Sequence, residues 1–193
     1  MTNCDVCKIL QNKELFKVIY DDDICFAILH ESPAVLGHSI VIPKIHSPII
    51  EELEDEVVGH LFNVCNKVSS AIFDSLGAHG TNIILNNGID AGQELPHVVI
   101  NVLPRSENDG LDFEWTPKKS DDAQIKALAT RIKTFSEAVF SGKDNLPEVR
   151  VKKDEQIIIQ PSQENTAQDT VDDQPKPEKE KTNYLKQALT RMP

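Results

Sequence analysis

The sequence predicts an α+β fold with a sheet of five short strands, one long helix packed on it, a C-terminal helix and a largely disordered tail. Residues 54–76 repeat apolar side chains at helical spacing, which predicts a long helix with one buried face. Residues 161–181 have almost no large apolar side chains and cannot build a core. Short runs rich in β-branched and other apolar residues are typical of strands, and they occupy positions 15–20, 24–29, 38–43, 81–85 and 97–103.

The acidity of the chain is concentrated in its first part. The formal charge is −11 in 193 residues, and 21 acidic against 11 basic residues lie before position 142. Such a surface repels nucleic-acid backbones and anionic lipids, so we expect neither as a partner. The start of the chain is polar and no apolar run reaches the length of a membrane span. We therefore expect a cytoplasmic protein without disulfides.

The chain has four cysteines, and the first two form a short motif close to its start. Cys4 and Cys7 could together hold one Zn²⁺, although a tetrahedral site needs two more ligands, and a redox pair or two inert thiols remain open. Cys25 in a strand and Cys65 in the long helix have apolar neighbours and are expected to be buried and inert. The aspartates at 21–23 join two strands and are interpreted as a solvated turn rather than a cation site.

The second half of the sheet is bounded by glycine and asparagine. Gly77 and Gly80 are expected to end the long helix. Residues 86–88, Asn-Asn-Gly, then have the composition of a turn after the fourth strand.

The fifth strand gathers polar residues on one face. Because successive side chains of a strand point to opposite faces, His97, Val99 and Asn101 share one face. The alternate positions 98, 100 and 102 are all apolar and require a core. The polar face thus carries an imidazole, an isopropyl group and an amide.

Several other motifs occur in a fixed order over the first 105 residues: Asp21-Asp22-Asp23, Ala27-Ile28-Leu29, Ser32-Pro33, Gly37-His38, Val41-Ile42-Pro43-Lys44, Asn86, Gly92-Gln93 and Leu103-Pro104-Arg105. Together with the fifth strand they resemble the histidine-triad (HIT) superfamily, whose signature alternates three histidines with apolar residues. The resemblance implies a HIT-like fold with a five-stranded antiparallel sheet. It also implies a homodimer that pairs through the long helix and the edge strand.

The chain departs from the family where the chemistry is done. In the family the middle histidine is the nucleophile that takes the nucleotidyl group, and here the resemblance places Val99 at that position and Asn101 at the third. A hydrocarbon can neither attack phosphorus nor transfer a proton. We therefore expect a catalytically degenerate protein with no catalytic residue of the family kind.

Zinc is implied by the same resemblance. In zinc-containing histidine-triad proteins and the related galactose-1-phosphate uridylyltransferases, an N-terminal cysteine pair joins a mid-chain histidine and the first histidine of the motif. These positions match Cys4, Cys7, His46 and His97. The expected site is structural and closed, and it would tie the N-terminus to the sheet.

A purine nucleotide is the ligand that the resemblance implies. The matching pocket residues are His38, Asn86, Gly92, Gln93 and Asn101. Turn chemistry and retention of the fold would also explain the residues around Asn86 and Gln93 without a ligand. The family's ribose-binding aspartate, two residues before Ser32, is replaced by His30. A neutral imidazole accepts only one hydrogen bond, so ribose recognition should be weakened or changed.

The predicted organisation is a HIT-like domain at 1–118, a helix at 119–141, a small hairpin at 142–160, a disordered linker at 161–182 and a short amphipathic helix at 183–193. The last segment places Tyr184, Leu185, Ala188, Leu189 and Met192 on one helical face. It would dock on its own domain, bind a protein partner or remain frayed, and all three interpretations stay open.

Three functions follow from these patterns. The first is a nucleotide-binding or zinc-stabilised scaffold protein without nucleotidyl transfer. The second is a hydrolase or transferase of the family with residual or altered activity, since positioning and phosphate stabilisation survive the loss of a nucleophile. The third is an interaction adaptor that uses the C-terminal tail.

Overall fold

The structure, a computed structural model, describes residues 4–141. The chain forms two compact units with a boundary between Asp112 and Phe113, and each unit is described by itself. Among the described helices, none combines the length and the apolar character needed to cross a membrane. The hairpin at 142–160, the linker at 161–182 and the helix at 183–193 lie outside the described residues.

The first unit is built on the predicted five-stranded antiparallel sheet, and the α+β fold class is confirmed. The strand order is β1-β2-β3-β5-β4, and every neighbouring pair is antiparallel. The strands are β1 Val18–Asp21, β2 Cys25–Leu29, β3 Ser39–Pro43, β4 Gly80–Leu85 and β5 Ile100–Arg105. The central strands β2 and β3 are almost entirely buried, which requires cover on both faces of the sheet.

The described helices are α1 Asp5–Gln11, α2 Asp55–Leu76 and α3 Asp122–Phe140. The long helix α2 covers one face of the sheet and buries Leu61, Val64, Val68 and Ile72 as its sequence spacing predicts. The short helix α1 was not predicted, because seven residues are too few to show a helical repeat. It covers the opposite face, where it joins Phe26, Ile28, Ile40 and Ile42 in a second core cluster.

The cysteines at 25 and 65 behave as expected. Both are fully buried in the core between α2 and the sheet, and no disulfide joins any of the four cysteines. Burial raises the pKa of Cys25 to about 12 and that of Cys65 to about 11. Thiolate is the reactive form, so both thiols are inert at neutral pH.

Two predicted boundaries are wrong. Gly77 ends α2 in the left-handed conformation, at φ 64°, but Gly80 belongs to β4. The fifth strand begins at Ile100 rather than at His97, because the Val98 amide donates to the Ser47 carbonyl (2.8 Å) beyond the end of β3 instead of joining the ladder.

The predicted alternation around position 99 nevertheless holds. Val98, Ile100 and Val102 are buried in the core under α2. Val99 and Asn101 face the other way and line a pocket with His97.

The aspartates at 21–23 are not simply a solvated turn. Asp21 pairs with Lys13 and Lys44. Asp22 accepts hydrogen bonds from the Tyr20 hydroxyl (2.6 Å), from His60 of α2 (2.6 Å) and from two backbone amides. Although burial opposes the shift, the bonds from Tyr20, the Cys25 amide and His60 hold the pKa of Asp22 well below its usual range.

This network attaches the β1–β2 turn to α2. The bond to Asp22 raises the pKa of Tyr20 to about 12, so the phenol remains a donor at neutral pH. The donor atoms of Asp22, Cys25 and His60 lie within 4.8 Å of one another, as in a metal site. Four hydrogen bonds already occupy the two carboxylate oxygens, so a structural clamp accounts for the cluster.

The second unit contains the predicted helix α3. Its apolar side chains include Ile132, Val139 and Phe140, and they are 64%, 63% and 90% exposed. None of its residues is buried. The observed helix covers most of the predicted segment 119–141.

Candidate functional site

Four side chains from three distant parts of the chain meet beside the sheet. Cys4 precedes α1 and Cys7 lies within it, His46 follows β3, and His97 lies just before β5. The packing of Val6 and Ile9 into the core beneath the sheet positions α1, and with it both thiols. Cys4 and His97 are only 2% and 1% exposed.

Four of the six separations between the donor atoms have the values expected of a tetrahedral site. Nδ1 of His46 lies 3.3 Å from Nδ1 of His97 and 3.4 Å from Sγ of Cys7. Nδ1 of His97 lies 3.7 Å from Sγ of Cys4 and 3.8 Å from Sγ of Cys7. Ligands bound to one zinc at 2.0–2.3 Å stand about 3.3–3.8 Å apart. The residues therefore fit a single Zn²⁺.

His97 has the ring orientation that such a site needs. Its Nε2 lies 3.0 Å from the Pro43 carbonyl oxygen, to which it donates, and this leaves the lone pair of Nδ1 toward the other donors. Burial lowers the pKa of His97, although the bond to Pro43 opposes the shift. The imidazole is thus held neutral, which is the form that binds metal.

A polar pocket of about 190 Å³ adjoins this cluster and has Val99 in its wall. Its apolar lining consists of Ile40, Leu95 and Val99, and its polar lining includes His30, Asn86, Gln93 and Asn101. Val99 is half-buried and also packs on the core around α1. Position 99 therefore presents a hydrocarbon surface to anything in the pocket.

A chain of hydrogen bonds fixes the side chain of Asn101. The Ala34 amide donates to Nδ1 of His38 (3.3 Å), so the neutral ring carries its proton on Nε2. That Nε2 donates to Oδ1 of Asn101 (3.0 Å), and Nδ2 of Asn101 donates to the Ile84 carbonyl (3.3 Å). His38 therefore lies behind the pocket and orients Asn101, whereas the sequence placed it among the ligand-contacting residues.

His30 is the imidazole that lines the pocket. It stacks on His38 with ring centroids 4.6 Å apart and planes 7° from parallel. The Ser32 amide donates to its Nδ1 (3.1 Å), so the neutral ring has only the Nε2 hydrogen to offer a ligand. Burial lowers the pKa of His30 and of His38, and the neighbouring ring lowers that of His38 further. His30 therefore presents a neutral donor to the pocket.

The loop before β5 forms the opposite side of the pocket. Nδ2 of Asn86 donates to the Gly92 carbonyl (3.4 Å), and Gly92 adopts φ 83°, a conformation that favours glycine. The Gln93 amide group is fully used, because Oε1 accepts from Gly88 (2.7 Å) and Nε2 donates to the Pro48 carbonyl (2.6 Å) among others. Gln93 shapes the loop rather than offering its side chain to a ligand.

Glu94 is a lining residue that the sequence analysis missed. It is exposed at the pocket and is the one carboxylate in its lining. The only hint in the sequence was that Glu94 follows Gln93, which was predicted to line the pocket. An irregular loop does not show which of its side chains point into a pocket. A negative charge here disfavours ligands with several phosphate groups.

The structure thus brings the predicted residues together in two adjoining places. Cys4, Cys7, His46 and His97 form the donor cluster. Asn86, Gly92, Gln93 and Asn101 line the pocket, with His38 behind it. The protein is therefore of the class of small α+β domains in which a Cys₂His₂ cluster adjoins a polar pocket beside one strand.

The family follows from comparison with known sequences. Residues 12–108 match the HIT domain, and the chain belongs to the HIT family. It is 38% identical over 109 residues to "Adenylylsulfatase HINT3" of Arabidopsis thaliana, which covers 56% of this chain and 55% of that protein. It is 31% identical to "Adenosine 5'-monophosphoramidase hnt1" of Schizosaccharomyces pombe, with coverage of 67% and 96%. Nucleotide hydrolases are therefore among its relatives.

Solved structures agree with this assignment. A HIT family protein from Bacillus anthracis has a TM-score of 0.62 at 34% identity and covers 68% of this chain and 95% of its own. A histidine triad family protein from Mycobacterium smegmatis described as Zn-bound has a TM-score of 0.54 at 30% identity, with coverage of 68% and 96%.

Proposed function

We propose that this protein binds a purine nucleotide in the pocket beside Val99, on a zinc-stabilised scaffold, and has lost nucleotidyl transfer. The observation that carries the proposal is the half-buried Val99 in the pocket wall, at the position where the family places its nucleophile. Two other imidazoles near position 99, those of His38 and His97, are engaged in hydrogen bonds within the protein. Nε2 of His38 is bonded to Asn101, and Nε2 of His97 is bonded to Pro43.

The polar lining favours a ligand with one phosphate. His30 offers an N–H donor, and Asn86 and Asn101 retain amide hydrogens beyond those used in the protein. These neutral donors can hold one phosphate, whereas Glu94 opposes a longer phosphate chain. Ile40, Leu95 and Val99 add apolar surface for a base or a ribose.

Zinc would complete the scaffold. The donor separations and the bond from His97 to Pro43 support a closed four-ligand site, and the Zn-bound relative supports the choice of metal. The ion would supply a cross-link that ties Cys4 and Cys7 to the sheet. It would leave no open position for a substrate.

Thermal unfolding with nucleoside monophosphates tests nucleotide binding. We expect AMP or GMP at millimolar concentration to raise the melting temperature, because a ligand at 100 times its Kd stabilises the folded state by about 2.7 kcal/mol. Val99→Phe, which fills the pocket, should abolish the shift, whereas Phe140→Leu on the exposed α3 should retain it. The absence of any shift with wild-type protein up to millimolar nucleotide would exclude nucleotide binding and favour the adaptor.

A hydrolase with residual activity is the second candidate. It is favoured by the relatives described as an adenylylsulfatase and an adenosine 5'-monophosphoramidase. The loss of the nucleophile opposes it. Turnover by wild-type protein separates this candidate from the binder.

A homodimer would bury one exposed flank of α2 and the open edge of β4. Phe62 and Phe73 are 41% and 53% exposed on this flank, and Ile83 of β4 is 41% exposed. Ser69 contacts Thr81 and thus marks the flank as the β4 side of the helix. Isologous burial of these side chains against a second copy would complete the sheet edge.

Light scattering of the eluting protein tests the homodimer. We expect twice the chain mass of 21.5 kDa for wild-type protein and the monomer mass for Phe73→Glu. The matched control Phe140→Glu should remain a dimer. A wild-type monomer at micromolar concentration would contradict the assembly.

A further inference from the structure

A second, apolar groove lies on the other flank of α2. It has a volume of about 470 Å³, and its lining includes Ile19 of β1, Leu29 of β2, the loop residue Leu36, and Ala71 and Leu76 of α2. Leu36 and Leu76 are 85% and 50% exposed, which is unusual for leucine side chains that lie together. The only charged residue in the lining is Lys67.

Small residues open this groove. Gly37, Ser39, Ala71 and Ser75 all belong to the lining and leave space between the sheet and the helix. Gly37 has φ 86°, and a Cβ at this position would lie 2.4 Å from Cδ1 of Leu76. A side chain here would therefore displace the end of the Leu76 side chain and change the groove.

The groove is separate from the flank proposed for the homodimer. That flank faces β4 through the contact between Ser69 and Thr81. The groove faces β1 and β2, on the side where His60 is bonded to Asp22. The groove residues Lys67, Ala71 and Ser75 therefore lie on the side of α2 away from Ser69.

We propose that the C-terminal segment 183–193 of the same chain binds in this groove as a helix. Its predicted apolar face, from Tyr184 to Met192, would be about 12 Å long. The α2 flank from Lys67 to Leu76 is about 14 Å long, so the two match in length.

The opposite net charges of residues 4–112 and 181–193, rather than the groove lining itself, support this occupant, and so does the tether length. Residues 4–112 carry 17 acidic and 6 basic side chains, whereas residues 181–193 carry the basic Lys181, Lys186 and Arg191 and no acidic residue. The chain between Ser141 and Tyr184 could extend over about 140 Å, so reach does not limit docking. A tethered segment also has a high effective concentration, which favours binding within one chain. A helix this short is marginal alone and is stabilised by docking.

Methyl NMR spectra of the full-length protein test the proposal. Leu189→Asp puts a charge on the apolar face of the segment, and Thr190→Asp puts the same charge on the opposite face. We expect the first change to shift the methyl resonances of Leu29, Leu36 and Ala71, and the second to leave them unchanged. Both positions lie outside the described core clusters, so both variants should fold.

The groove side provides an independent test. Leu36→Asp in wild-type protein should produce the same loss of contact at Ala71 as Leu189→Asp, and combining the two should add nothing further. Identical groove resonances in wild type, Leu189→Asp and Thr190→Asp would overturn the proposal. Shifts that disappear on dilution would also overturn it, because they would assign the segment to a second copy.

Discussion

Replacing Cys4 by serine is expected to release one zinc per chain and to lower the stability of the domain by several kcal/mol. Cys4 is 2% exposed, and its sulfur lies 3.7 Å from Nδ1 of His97. Loss of one ligand leaves a buried donor set without its ion, and it also removes one of the links between α1 and the sheet. Zinc binding to unfolded finger peptides supplies about 10–16 kcal/mol. The loss expected here is smaller than that value, because the two core clusters of this domain also stabilise the fold.

Elemental analysis and thermal unfolding measure this effect. Cys65→Ser is the matched control, because Cys65 is equally buried but lies in the core away from the donor cluster. Both variants should lose stability, but only Cys4→Ser should lose zinc. Chelator should lower the melting temperature of wild type and of Cys65→Ser and leave Cys4→Ser unchanged. Metal-free wild-type protein with undiminished stability would remove zinc from the scaffold.

Substituting histidine for Val99 is expected to raise the turnover of an adenosine phosphoramidate by about two to four powers of ten. Position 99 lies in the pocket wall, so an imidazole there would face a ligand bound in the pocket. The imidazole nitrogen would attack phosphorus and displace the amine. Water would then hydrolyse the new bond between phosphorus and the imidazole nitrogen, which releases the nucleotide. Wild-type protein should show only background turnover.

Val99→Asn is the control for this gain, because asparagine adds polarity without a competent nucleophile. The fixed bond from His38 to Asn101 limits the gain, since the third position orients no proton donor toward the leaving group. Adding Asn101→His should therefore increase turnover further. Efficient turnover by wild-type protein that Val99→His does not increase would show that the chemistry uses another group, and the binder would give way to the hydrolase.

The fold class was accessible from the sequence because periodicity is local information. Side chains two apart share a strand face, so the opposite placement of Val99 and Val98 could be predicted even though β5 begins later than expected. The stripe on α2 was readable for the same reason, whereas the seven residues of α1 were too few to show a pattern.

The structure places the predicted site residues close together, but in different positions relative to the pocket. The four candidate metal ligands were named through family resemblance, and no spacing rule could have joined them, since Cys4 and His97 are 93 positions apart. His38 was predicted to contact the ligand, whereas in the structure it is hydrogen-bonded to Asn101 and orients that side chain. Glu94 was missed because an irregular loop has no period that assigns its side chains to the pocket.

By itself the sequence determined which residues share a face, where the apolar surfaces lie, and that position 99 carries a hydrocarbon. Only the tertiary structure decided that the Ser32 amide makes His30 a donor and that Asp22 clamps the β1–β2 turn to α2. The physical reason is that alternation and helical repeat are properties of neighbouring residues. Hydrogen-bond partners and metal geometry instead depend on which distant segments the packing of the core brings together.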